Sequence, residues 1–207
     1  METLSELSKE TNMSDASTGI LLIGYQNDYF AKDGILQSVV EESLCSNNVL
    51  DNTLALLERV AETDVAIIST PITFTPDYRE LDNPIGILKI CKDVGAFMAG
   101  SSGAEVIEEL KRWGERIMEI PGKRGLNAFS NTSLETMLVE KGITDLVIAG
   151  VVTSVCIDST ARAASDKGFN VTVLSDCTAG RTNFEQEFYC SDIFPIFANV
   201  KKSTEIL

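Results

Sequence analysis

The run Asp145-Leu-Val-Ile-Ala-Gly-Val-Val-Thr-Ser-Val-Cys156 carries a buried-strand pattern directly into a helical stretch over 157–167, which puts the Cys156 thiol at the strand-to-helix junction. Unpaired backbone N–H groups at a helix N-terminus, together with the positive end of the helix dipole, favour thiolate over thiol. The same groups can receive a developing oxyanion. Such a cysteine is placed to attack a carbonyl carbon. The competing reading is a structural thiol, because free cysteine is among the most buried residue types.

The chain contains no histidine, which removes Ser-His and Cys-His dyads, HExxH and histidine zinc ligands from consideration. Catalysis would have to draw on carboxylate, lysine, tyrosine or thiol, and neither a metal nor a cofactor is expected. With 31 acidic against 17 basic side chains and a net charge of −14, the surface repels polyphosphate, so nucleic acid and anionic membrane partners are disfavoured. No apolar run approaches the ~18 to 20 residues of a membrane span. Cys45, Cys91, Cys156, Cys177 and Cys190 are scattered, odd in number and without a CxxC pair, which points to a reducing, cytoplasmic setting. Residues 1–17 are polar and acidic, with neither a basic n-region nor an apolar h-region. They read as a flexible leader to a single domain over 18–207.

The elements that must position Cys156 follow from the hydrophobic pattern. Apolar runs at Gly19–Ile23, Val65–Thr70, Ile117–Ile120, Leu146–Ala149 and Val171–Leu174 predict buried strands. Helical patterns lie between or after them at 47–62, 103–112, 133–141, 155–167 and 183–197. Thr132 or Ser133 is placed to cap the third of these, and Gly142 to end it. This alternation predicts an α/β protein, a three-layer α-β-α sandwich with a mostly parallel, doubly wound sheet. In such sheets ligands sit beyond the carboxyl ends of the strands, where Cys156 falls. The segment 71–102, with three prolines and several glycines, is too long for a plain connection and is expected to hold short elements or a binding wall.

Several motifs, in order, resemble the isochorismatase-like (cysteine hydrolase) superfamily. Leu21-Leu-Ile-Gly-Tyr-Gln-Asn-Asp-Tyr-Phe30 is similar to its first-strand motif, Gly100-Ser-Ser-Gly-Ala-Glu105 to its GTPGAE turn, and Lys123 with Ala128-Phe129 to its lysine motif. Gly150-Val-Val-Thr-Ser-Val-Cys156 is similar to its nucleophile segment, and Ser175-Asp176-Cys177 to the segment after the fifth strand. The resemblance implies Cys156 as attacking thiolate, Lys123 as a third-strand lysine beside it, and an oxyanion hole from the N–H groups of Val152 and Cys156. It also implies a cis Val151–Val152 peptide, a small-molecule substrate and a homo-oligomer, dimer or tetramer. Phe129, Tyr25 and Phe30 are candidate walls for a planar substrate, and Thr153 and Ser154 candidates to orient the hole.

One departure matters. The family's catalytic aspartate falls at Gly24, so the usual general base is missing. Asp28 is a possible substitute, although it matches the motif's second aspartate; Asp77 and Tyr25 are further candidates. The histidines that build the metal site of the nicotinamidase branch are also absent. Three readings follow: hydrolysis of a small amide or carbamoyl C–N bond by a thiolate preformed beside Lys123; a catalytically silent ligand-binding or interaction protein; or a pocket enlarged at Gly24 for a different substrate. Gly24→Asp is the substitution that would restore the family pattern.

Overall fold

A computed structural model describes residue 14 and residues 17–206 of the chain. The leader expected over 1–17 therefore lies almost wholly outside the described residues. Six strands, β1 (Thr18–Ile23), β2 (Ala66–Ser69), β3 (Ile117–Glu119), β4 (Asp145–Val151), β5 (Asn170–Ala179) and β6 (Asn199–Lys201), form one sheet in the order β3-β2-β1-β4-β5-β6. Every pairing is parallel. The helices are α1 (Asn27–Phe30), α2 (Gln37–Ser46), α3 (Val49–Arg59), α4 (Gly86–Val94), α5 (Glu108–Lys111), α6 (Leu134–Glu140), α7 (Asp158–Asp166) and α8 (Asn183–Phe188).

Both faces of the sheet are covered, which explains why its central strands read as continuous apolar runs. Along β1, Leu21 and Ile23 enter one core with Leu134, Leu138, Ile157 and Ala161, whereas Ile20 and Leu22 enter the other with Leu56 and Leu57. A third cluster, containing Tyr29, Phe74, Cys91, Phe97, Val151 and Val152, closes the carboxyl ends of the strands. Burying each large aliphatic side chain contributes about 1.5–3 kcal/mol.

The five foreseen strands are present. The short edge strand β6 was not foreseen: the pattern over 183–197 predicted one helix, but α8 ends at Phe188 and gives way to a π-turn (Tyr189–Ile193) and a 3₁₀ turn (Phe194–Ile196). Pro195, which has no N–H to donate, sits at the start of that last turn. The helix expected over 103–112 is reduced to a 3₁₀ turn at Ser102–Ala104 and the single turn α5. Helices α2 and α4 were not read from the pattern; α4 fully buries only Cys91. It supplies the element expected within 71–102. At α6 the side chain engaged is Thr132, whose hydroxyl accepts the Leu134 N–H (3.3 Å) and donates to the Ala128 carbonyl (2.6 Å), while Ser133 makes no capping bond.

The order β3-β2-β1-β4-β5-β6 reverses direction between β1 and β4, the crevice where doubly wound sheets bind ligands. Gly150 makes the close approach of these strands possible. Its φ is +124°, and a Cβ there would stand 1.8 Å from the Ile23 carbonyl oxygen. Gly150→Ala is accordingly expected to lower stability by about 3 kcal/mol or to prevent folding, measured by urea denaturation.

Candidate active site

Gly24 follows β1 and Cys156 follows β4, the two strands that flank the switch point. The chain leaves β4 through the Val151–Val152 peptide, which is cis, as the resemblance implied. It then enters a π-turn, Thr153–Ile157, that runs into α7. Cys156 is therefore inside a wide turn that continues as a helix. The Val155 and Ile157 N–H groups both donate to the Val152 carbonyl (3.0 and 3.2 Å). Among the described residues, neither the Val152 nor the Cys156 N–H donates to an acceptor outside the turn.

Lys123 lies beyond the end of β3, held by a parallel bridge to Ile72 and by the Thr73 N–H donating to its carbonyl (3.3 Å). Its side chain is 1% exposed, and Nζ stands 3.5 Å from the sulfur of Cys156, itself 6% exposed. Among the described residues, Lys123 has no carboxylate partner. A buried ammonium without a counter-charge costs several kcal/mol. The Cys156 sulfur is the side-chain partner within bonding reach of Nζ among the described residues.

Three buried polar side chains hold this pair in register. Gln26 is saturated: its amide donates to the carbonyls of Ile72 (2.8 Å) and Ala104 (2.7 Å), and its oxygen accepts the Ile72 N–H (3.0 Å). It thereby ties the end of β1 to the strand-like segment that pairs with Lys123. Thr160, one turn beyond Cys156, accepts the Ala128 N–H (3.0 Å) and joins the lysine segment to the nucleophile helix. Gln186 accepts the Thr153 hydroxyl and donates to the Ser175 carbonyl (3.0 Å) and Thr178 hydroxyl (2.9 Å), fastening the π-turn to β5. Gln186 was missed in the sequence, where a glutamine on a short helix carries no signal.

Several expected residues stand elsewhere. Tyr25 is a core side chain on the α3 face of the sheet, its hydroxyl bonded to Thr53 (2.6 Å). Phe30 stacks on Tyr25 with ring centroids 4.9 Å apart. Phe129 packs against Phe169 and beneath Lys167 at the far end of α7. Thr153 is fully buried and committed to Gln186, so it shapes the turn and does not line a pocket. The sequence pattern leaves these aromatic and hydroxyl residues equally suited to a wall or a core.

Asp28 does not take the place of the absent base in this geometry. Its carboxylate accepts the Phe97 N–H at 2.6 Å and lies against Gly103, where an added Cβ would be 2.0 Å away; it makes no hydrogen bond to Cys156. Phe97 has φ +57°, so Asp28 pins a left-handed corner. Asp77 is exposed and bonded to the Thr75 hydroxyl (2.7 Å), which holds its carboxyl below the ordinary range. The other buried thiols contrast in setting: burial pushes Cys177 up to about 12 and Cys91 up to about 11. No group of three or more His, Cys, Asp or Glu able to hold a metal occurs among the described residues.

Gly24 itself has φ +76°, and a Cβ there would stand 2.9 Å from both Cγ2 and the carbonyl oxygen of Val151. The backbone is shaped for glycine, so the missing carboxylate cannot be added back without local rearrangement. Gly24→Asp is expected to lose about 1–2 kcal/mol from the left-handed conformation alone, read as a lower urea midpoint. Gln186→Leu strands two polar partners and is expected to cost about 2–4 kcal/mol by the same measurement.

The family model described as Isochorismatase domain matches residues 18–205. Nicotinamidase 3 of Arabidopsis thaliana is 29% identical over 121 residues, 58% of this chain and 60% of that protein, so the chain spans about three fifths of its length. A protein named probable inactive nicotinamidase, also from Arabidopsis thaliana, is 29% identical over 167 residues, 80% of this chain and 82% of that one. Among solved structures, a cysteine hydrolase from Pseudomonas syringae pv. phaseolicola superposes with TM-score 0.77 at 20% identity, covering 94% of this chain and 92% of its own. At that identity the superposition shows a shared fold.

Proposed function

The chain belongs to the isochorismatase family, and from that premise we propose that it is a cysteine-dependent hydrolase of a small amide or carbamoyl C–N bond that works with a lysine–cysteine pair. The observation that carries this reading is the buried Lys123 Nζ lying 3.5 Å from Cys156 Sγ, with Gly24 where a carboxylate would complete a triad. A lysine that takes the thiol proton does the work of the missing base. The sulfur attacks the carbonyl carbon, the S–C bond forms, and the oxygen takes the electron pair beneath the N–H groups of Val152 and Cys156. As the tetrahedral adduct collapses, the C–N bond breaks and the nitrogen leaves with the proton held on Lys123. Water then cleaves the thioester, releasing the acid and returning the proton to the pair.

A silent ligand-binding protein is the second reading. It is favoured by the similarity to a relative named inactive and by the fact that, among the described residues, no carboxylate is bonded to Cys156. Loss of a general base costs about 10² to 10⁴-fold, which a panel of small amides and carbamoyl compounds with ammonia detection resolves: turnover abolished by Cys156→Ser supports the hydrolase, and a fully inert wild type supports the silent reading. Alkylation by iodoacetamide, followed by peptide mass spectrometry because Cys45 is also exposed, tests the pair directly. Cys156 is expected to react at pH 7 at least tenfold faster in the wild type than in Lys123→Met. Equal rates would remove Lys123 from the chemistry.

The substrate is proposed to be a small molecule and the setting cytoplasmic, in keeping with five unpaired cysteines. No helix among the described residues is long and apolar enough to cross a membrane. We also expect self-association: Phe184, 78% exposed, stacks on Phe188 along one face of α8, and Ile85 is 84% exposed. Light scattering is expected to give two or four times the chain mass, and Phe184→Asp to reduce it if α8 forms the contact.

A further inference from the structure

On the face of the sheet opposite the cluster that contains Cys156, a cleft of about 160 Å³ lies between the edge strand β3 and α5. Val106, Leu110 and Ile117 form its apolar walls, while Lys111 and Glu119 are exposed at its edge. Ser69, 6% exposed, is the buried polar residue of the lining. Along β2, Ile67 enters the same cluster as Leu110, and Ser69, two residues further on, shares that side of the sheet. The Ser69 carbonyl accepts the Ile120 N–H (2.8 Å), but among the described residues its hydroxyl has no hydrogen-bond partner. Leaving a buried hydroxyl unpaired costs about 1–3 kcal/mol, which a ligand able to bond with it would offset.

Size and charge narrow the ligand. An apolar-walled cavity of about 150 Å³ takes a benzene-sized molecule. Lys111 is already bonded to Glu105 (3.2 Å) and Glu108 (3.1 Å), and Glu119 faces solvent, so neither brings an unpaired buried charge to the cleft. An ionised group held against Val106, Leu110 and Ile117 would lose its hydration without a counter-charge. A neutral molecule with one hydrogen-bonding group meets both the walls and the Ser69 hydroxyl. Trp113, the one tryptophan of the chain, lies between the lining residues Leu110 and Gly114 and packs on the same cluster. Its buried indole N–H is also unpaired among the described residues, and its fluorescence reports on this corner of the fold.

We propose that this cleft is a second small-molecule site, separate from the lysine–cysteine pair, which takes a neutral, benzene-sized compound carrying one hydroxyl that bonds to Ser69. Val106, Leu110 and Ile117 supply the apolar contact and Ser69 the discrimination. The hydrogen bond to Ser69 is worth about fivefold in affinity over the same ring without a hydroxyl. The site stands whether or not Cys156 is a working nucleophile, because it draws on none of the same side chains.

The test titrates the full chain with phenol and with benzene, reading Trp113 fluorescence excited where neither probe absorbs. Phenol is expected to produce a saturable change at about fivefold lower concentration than benzene. In Ser69→Ala, which removes only an unpaired hydroxyl and should leave the urea midpoint no lower, the two probes are expected to bind within about twofold of each other. Ile117→Phe, which fills the cleft, should abolish both responses while its unchanged urea unfolding slope shows that the chain is folded. A wild type without a saturable response, or a preference for phenol that survives Ser69→Ala, would overturn the site. So would a response that appears only as light scattering records a change in mass, since the cleft would then belong to a contact between copies. Slowed iodoacetamide modification of Cys156 at saturating phenol, with the Ser69→Ala response unaltered, would place the probe at the thiol and overturn the proposal as well.

Discussion

The contact between Lys123 Nζ and Cys156 Sγ is the constraint around which the rest of the molecule is arranged. The two groups are placed together at 1% and 6% exposure, where burying a charge without a partner costs several kcal/mol. Holding them at 3.5 Å requires that the end of β4, the turn into α7 and the segment after β3 be registered against one another. The saturated amides of Gln26 and Gln186 and the Thr160 hydroxyl supply that registration. Each joins two elements that meet only in the folded state. The polar interior therefore serves mainly to fix geometry.

The sheet order explains why the pair lies where it does. The strand order reverses between β1 and β4, and Gly24 and the Val151–Cys156 segment are the residues that leave those two strands. Gly150 allows the backbones to close to a distance no other residue permits. Glycine at 24 is likewise matched to a left-handed backbone pressed against Val151. A carboxylate side chain at that position would require the local backbone to shift.

Much of this was legible in the chain itself. The five central strands, the parallel architecture and the position of Cys156 follow from apolar runs separated by helical periods, because burial on both faces leaves little freedom in composition. The lysine segment was legible only as a resemblance, since a lone lysine after a strand is ordinarily a solvated one. Tyr25 and Thr153 bond to buried partners, Phe30 stacks on Tyr25, and Phe129 shares a cluster with Cys156; aromatic and hydroxyl side chains suit a core as well as a pocket, and the sequence pattern alone does not separate the two.

By itself, the sequence determined a doubly wound parallel sheet, a thiol at a strand–helix junction and chemistry without histidine. These depend on local pattern and on residue type alone. Only the tertiary structure decided that Lys123 reaches the sulfur and that Asp28 is spent on the Phe97 N–H. Each joins groups brought together by strand order and packing, and a side chain's neighbours across a fold are set by where its backbone is carried, not by the residues next to it in the chain.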